Sequence, residues 1–182
     1  VVYPNAGNLG GGGFMVYRLS DGENGSLDFR EKAPINSRSD MYLDSNKDVI
    51  KGLSQNGALA IGVPGTIAGL FEIHNKFGTL PIKDLFQPAI DLANNGYRLT
   101  SKQVNTINNY KDLILELNDS IPLFNKTFKD NDLFINKSLG NTLSLISEKG
   151  VDEFYRGKIA KELSSYIISK GGIITPKDFS LY

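Results

Sequence analysis

The sequence predicts an α+β chain in which a β-hairpin precedes a mainly helical region. Three observations carry this. Phe14–Leu19 and Ser26–Arg30 are β-favouring stretches separated by the turn-rich Ser20–Gly25. After Pro64 the apolar residues switch to helical spacing. Gly78, Gly96, Gly150 and the pair Gly171-Gly172 then punctuate that region where helices are expected to stop.

Taken in order, Asn5–Gly13 carries almost no side-chain volume, and Phe14-Met-Val-Tyr-Arg-Leu19 turns abruptly apolar, as a strand does. Ser26-Leu-Asp-Phe-Arg30 alternates polar with apolar and completes the hairpin across a longish loop. Glu31 to Asn56 is polar and aperiodic, a loop with room for one short helical turn. Ile67, Leu70, Phe71 and His74 share one face of a helix that Gly78 stops. Thr79-Leu-Pro81 opens a second helix, with Leu85, Phe86, Ala89, Ile90 and Ala93 inward and Gly96 past its end. Thr100 or Ser101 caps a third that reaches about Leu117. Asn118–Lys137 is a polar excursion around Leu123-Phe124 and Leu133-Phe134-Ile135, expected as a loop or small hairpin. Ser138–Lys149 and Lys158–Lys170 are amphipathic helices, the second with Ile159, Leu163, Tyr166 and Ile167 inward. Thr175-Pro-Lys-Asp178 combines a cap residue, a proline at the first helical position and an acid three residues on, so a last helix begins just before Tyr182.

With 182 residues the chain is long enough for a core that needs no disulfide or metal staple, and residues 1–182 are read as a single domain. Twenty Lys and Arg balance twenty Asp and Glu, without a basic block, so an electrostatic nucleic-acid binder is not expected. Cysteine is absent and His74 is the sole histidine, which excludes zinc fingers, iron–sulfur clusters, thiol catalysis and multi-histidine metal sites. The most apolar stretch, Ala58–Phe71, is too short to span a bilayer and is interrupted by Gly62, Pro64, Gly65 and Gly69, so no membrane insertion is expected. The start at Val1, without a leader, reads as a processed or truncated piece.

Several motifs imitate chemistry they cannot perform. Gly10–Gly13 is followed by neither Lys-Ser/Thr nor the third glycine of a dinucleotide loop; it allows either a tight approach of backbone to the strand or backbone lining a site. Asp44-Ser-Asn46-Lys-Asp48 starts like a calcium loop, but Val49 replaces the required glycine and Gln55 the bidentate Glu. Gly52-Leu-Ser54-Gln-Asn56 misses the nucleophile-elbow pattern at its last position, and His74 follows an apolar helix stripe, as a packing residue does. No catalytic residue, metal site or cofactor is therefore assigned within the chain.

Arg30 stands apart. On the strand Leu27-Asp-Phe-Arg30, Leu27 and Phe29 face one way and Asp28 and Arg30 the other. A guanidinium fixed at a strand end beside a glycine-rich segment suits a ligand carboxylate bidentately. An internal ion pair with Asp28 or Glu31 is the competing reading of the same pattern.

Gly10-Gly-Gly-Gly-Phe14, Leu27-Asp-Phe-Arg-Glu31 with Ala33-Pro34, Gly62-Val-Pro-Gly65 with Ala68-Gly69, and Gln87-Pro-Ala-Ile90 together resemble the large-subunit part of a γ-glutamyltransferase (γ-glutamyltranspeptidase, glutathione hydrolase). The resemblance runs on in the family's order through Asp152-Glu-Phe-Tyr155, Gly157, Ile159-Ala160, Gly171-Gly-Ile-Ile-Thr175, Asp178 and Tyr182. It implies part of an N-terminal-nucleophile hydrolase, an αββα sandwich whose precursor, a zymogen, cleaves itself to expose a threonine at the head of the small subunit. That threonine attacks the γ-carbonyl of glutathione or another γ-glutamyl compound, and water or an acceptor amine resolves the acyl-enzyme. The arginine of the Asp-Phe-Arg-Glu motif, here Arg30, then binds the α-carboxylate of the γ-glutamyl substrate.

By the same resemblance the partner is the small subunit, its nucleophile lies in sequence beyond Tyr182, and the present chain is expected to be inert alone. Export to the periplasm or outside the cell is expected on the same ground. A related acylase of the cephalosporin type, or a non-catalytic binding remnant that keeps Arg30, would share these motifs.

Overall fold

The computed structural model describes residues 1–3 and 8–182, so the start of the small-residue segment, residues 4–7, lies outside the described residues. Backbone contacts gather the chain into two compact units, Val1–Pro4 with Leu80–Glu148, and Asn5–Thr79 with Lys149–Tyr182.

The second of these contains the hairpin. Strands β1 (Phe14–Arg18) and β2 (Asn24–Asp28) pair antiparallel with Phe14 opposite Asp28 and Arg18 opposite Asn24. The turn is tighter than the sequence suggests: Leu19 N–H donates to Glu23 O at 2.7 Å, and Gly22 takes a φ of 95° that favours glycine. Met15, Tyr17 and Leu27 are half-buried on one face, whereas Phe14 and Val16 lie open on the other. Residues 31–56 form an irregular loop, with a bridge between Leu43 and Val49; the short helical turn falls just beyond it, at Ala58–Ala60. Helix α1 (Thr66–Phe77) follows, stopped by Gly78 as its spacing predicts.

The same unit resumes after residue 148. A five-residue helix without a periodic signature in the sequence covers Val151–Tyr155; it is α5 in chain order, followed by α6 (Lys158–Ser169) and α7 (Pro176–Ser180). Phe154, Tyr155 and Phe179 meet ring to ring, and with Val63, Ile67, Ile159 and Ile174 they form the buried centre. Burial along α6 falls on Ile159, Ala160, Ser164 and Ile167, while Leu163 and Tyr166 are exposed. The inward stripe is thus rotated towards Ser164, whose hydroxyl can be buried because it donates to Ala160 O at 2.7 Å.

The other unit comprises α2 (Ile82–Asn95), β3 (Tyr97–Arg98), α3 (Ser101–Leu117), β4 (Leu133–Phe134) and most of α4 (Lys137–Lys149). Thr100 caps α3 in a reciprocal pair with Gln103. The excursion after α3 does not fold into a hairpin of its own: Leu133–Phe134 pairs with Tyr97–Arg98 instead. Leu99, Val104, Ile107, Phe128 and Phe134 form the core here, and the Asn108 amide holds both backbone polar groups of Phe128. On α2, Phe86, Ile90 and Ala93 are buried, but Leu85 is exposed.

Candidate functional site

The hairpin places Arg30. Its last paired residue is Phe29, whose N–H donates to Gly13 O at 2.9 Å and whose carbonyl accepts from Gly13 N–H at 3.3 Å. Arg30 is the next residue, on the outer face with Asp28 and Phe14. Its guanidinium lies 5.6 Å from the Phe14 ring centre, within cation–π range. The Asp28 carboxylate is turned onto the Arg30 backbone N–H at 2.9 Å, and among the described residues no ion pair is made by Arg30. The internal ion pair with Asp28 or Glu31, the competing reading of the sequence, is thus not formed among the described residues.

Glycines make the surroundings close. A Cβ on Gly12 would stand 2.6 Å from Phe29 O and 2.8 Å from Arg30 Cα. Gly11 O accepts from Gly65 N–H at 2.9 Å and Thr66 N–H at 3.1 Å, so the glycine run is docked on the first turn of α1. Lys32 and Val63 exchange backbone hydrogen bonds of 3.1 and 2.8 Å, fastening the chain on the far side of Arg30. Of the two roles open to Gly10–Gly13, tight backbone packing is the one seen. The amides at the head of α1 are used within the protein, by Gly11 O and, for Ala68, by the Tyr155 hydroxyl at 3.1 Å.

Two tyrosines from the chain's last part reach this place. The Tyr182 hydroxyl donates to Arg30 O at 2.8 Å, and its ring stacks on Tyr155 with centres 5.4 Å apart. Tyr155 Oη donates to Pro64 O at 2.8 Å, and burial pushes this phenol far above its ordinary range. Burial, with the charges of Asp28 and Glu31 behind it, also raises Tyr182, so both hydroxyls stay protonated at neutral pH. Asp178 in α7 accepts from Ile35 N–H at 2.6 Å and from Thr175 N–H at 2.7 Å. Burial works against its charge, but the bonds from Thr175 and Ile35 outweigh it and hold the carboxyl below 3.8.

What stands at Arg30 is therefore an exposed guanidinium on a backbone that is fastened on both sides. His74 is half-buried on α1, eight residues past Thr66 and so about 12 Å along the helix. Asp44 spends its carboxylate on the N–H groups of Asn46 and Asp48, closing its own loop. Among the described residues no group of three or more His, Cys, Asp or Glu could hold a metal ion, and no helix is long and apolar enough to cross a membrane. In the sequence Asp178 is legible only as the acid of the Thr175 cap, and no local pattern assigns a role to Tyr155 or Tyr182.

A family model described as gamma-glutamyltranspeptidase matches residues 1–182. The chain belongs to the γ-glutamyltranspeptidase family. It is 44% identical over 186 residues to a glutathione hydrolase proenzyme of Pseudomonas sp. (strain A14), a match that takes in all of this chain and 32% of that protein. The γ-glutamyltranspeptidase of Helicobacter pylori superposes with a TM-score of 0.96 at 42% identity, over all of this chain and 53% of that one. A cephalosporin acylase from Bacillus halodurans aligns over all of this chain and 35% of its own, with a TM-score of 0.84 at 21% identity, a likeness of fold alone. The α+β arrangement expected from the sequence, a hairpin followed by a mainly helical region, is thus the one shared with the γ-glutamyltranspeptidase structure and, as a fold alone, with that acylase. The chain spans about a third of the length of the curated relatives it matches.

Proposed function

We propose that this chain supplies the carboxylate-binding part of a γ-glutamyltransferase that cleaves the γ-glutamyl bond of glutathione and related compounds. The observation that carries the reading is Arg30: an exposed guanidinium without an ion-pair partner among the described residues, at the end of a strand fixed by Gly13, Val63 and Tyr182. A free cation on a rigid mount is what bidentate capture of an α-carboxylate needs. Relatives named glutathione hydrolase proenzyme, covered by the whole of this chain, support the same substrate class.

Arg30 clamps the α-carboxylate and so fixes the glutamyl group with its γ-carbonyl turned to the nucleophile. That nucleophile is the threonine heading the small subunit, freed when the proenzyme cuts itself, with its own α-amine as base. Its hydroxyl adds to the γ-carbonyl, and cysteinylglycine leaves with a proton on its amine. Water or an acceptor amine then adds to the ester, giving glutamate or a new γ-glutamyl compound and restoring the threonine. The acylase alternative has a likeness of fold behind it and no observation at Arg30 that favours another acyl group.

The test is Arg30→Ala and Arg30→Lys in the complete, processed enzyme. Losing a bidentate charge pair in the site is expected to lower kcat/KM for a γ-glutamyl anilide by about two orders of magnitude or more. Unchanged kinetics in both variants would overturn the assignment.

A further inference from the structure

We infer that Tyr182 is a positioning residue for Arg30: its hydroxyl, bonded to the Arg30 carbonyl, sets the aim of the guanidinium towards substrates that carry an α-carboxylate. This rests on the reading of Arg30 given above and adds a residue to it. In an antiparallel ladder the residue after a hydrogen-bonded pair turns its N–H and C=O away from the partner strand. Phe29 pairs with Gly13, so both polar backbone groups of Arg30 point outward and need other partners. The Asp28 carboxylate takes the N–H, and Tyr182 Oη takes the C=O at 2.8 Å.

Arg30 thus sits in a gap between two backbone attachments, 13 with 29 before it and 32 with 63 after it, and Tyr182 closes that gap. Tyr182 is itself held firmly. Its ring stacks on Tyr155, nearly parallel at 17°, and Lys32 Nζ lies 4.4 Å from the ring centre. Tyr155 is anchored to Pro64 and Ala68 at the head of α1. Gly65 leaves the space for the Tyr182 phenol, since a Cβ there would come 2.6 Å from the ring carbon that bears the hydroxyl. A hydroxyl so braced, protonated at neutral pH, fixes a backbone carbonyl that water alone would leave loose.

The test compares wild type with Tyr182→Phe, which keeps the stacked ring and removes the donor, in the complete, processed enzyme. One neutral hydrogen bond corresponds to a rise of about three- to tenfold in KM for a γ-glutamyl anilide, with kcat within about twofold. The rise is expected to vanish with the 4-aminobutyryl anilide, which lacks the α-carboxylate, and in an Arg30→Ala background. A purely structural role would instead lower the melting temperature and the active fraction and leave KM alone, and that outcome overturns the inference. Should Tyr182→Phe fail to mature, a fluorotyrosine at 182 keeps the ring and lowers the hydroxyl's pKa. Donor KM should then climb as pH rises through that pKa, and a KM flat with pH overturns the inference. If Arg30→Ala is impaired while Tyr182→Phe equals wild type, the positioning role falls alone. If Arg30→Ala is itself normal, both readings fall.

Discussion

Gly12, Gly65 and Gly69 each face atoms of Phe29 or Arg30 so closely that a Cβ could be added only by moving backbone or an aromatic ring. These positions decide whether the Arg30 strand can lie against α1 at all. Gly65→Ala is therefore expected to destabilise the protein by about 1–3 kcal/mol or more, read as a lowered denaturation midpoint, and to raise donor KM by displacing Tyr182. A Gly65→Ala variant with wild-type stability and KM would show that the strand can step back without consequence. Arg30 itself was legible in the sequence, because alternation along Leu27–Arg30 sets its face whatever the tertiary surroundings. Tyr182 was not, since its hydrogen bond spans 152 positions and no local pattern announces a partner so far away.

At the scale of elements, α7 is five residues long and depends on its cap more than on its length. Asp178 closes the cap with Thr175 and ties the loop after Arg30 through Ile35 N–H, at 4% exposure. Asp178→Ala leaves that part-buried N–H without its partner and the cap open, for an expected loss of about 1–2 kcal/mol in denaturant unfolding. Because the folded carboxyl lies below its ordinary value of 3.8, its contribution is complete above the unfolded pKa and is lost as pH falls through the folded one. Acid unfolding should therefore show a weaker pH dependence below about pH 4 in Asp178→Asn than in wild type, and identical slopes would contradict this role. The hairpin, α1, the Thr100 cap and the Thr175 cap were legible because each has a local signature. The ladder between Tyr97–Arg98 and Leu133–Phe134 was not, since two-residue strands lack periodicity and are made by their partner. Helix α5 is too short for a helical stripe to register. Spacing alone points Leu85, Leu163 and Tyr166 inward because it gives a face without its centre, and small buried residues such as Ser164 shift that centre.

At the scale of the whole molecule, the chain spans about a third of the length of the relatives it matches. The proposed chemistry needs the small-subunit threonine, so the 182-residue chain alone is expected to release no product from a γ-glutamyl anilide, and turnover by the pure chain would contradict the division of labour. The most direct test of the central claim measures what Arg30 recognises. In the complete enzyme, kcat/KM is compared for γ-glutamyl and 4-aminobutyryl anilides, which differ by the α-carboxylate, in wild type and Arg30→Ala. The account predicts a wild-type preference for the γ-glutamyl compound of about a hundredfold or more that collapses towards unity in the variant. A preference that survives intact in Arg30→Ala would place carboxylate recognition elsewhere and contradict the account.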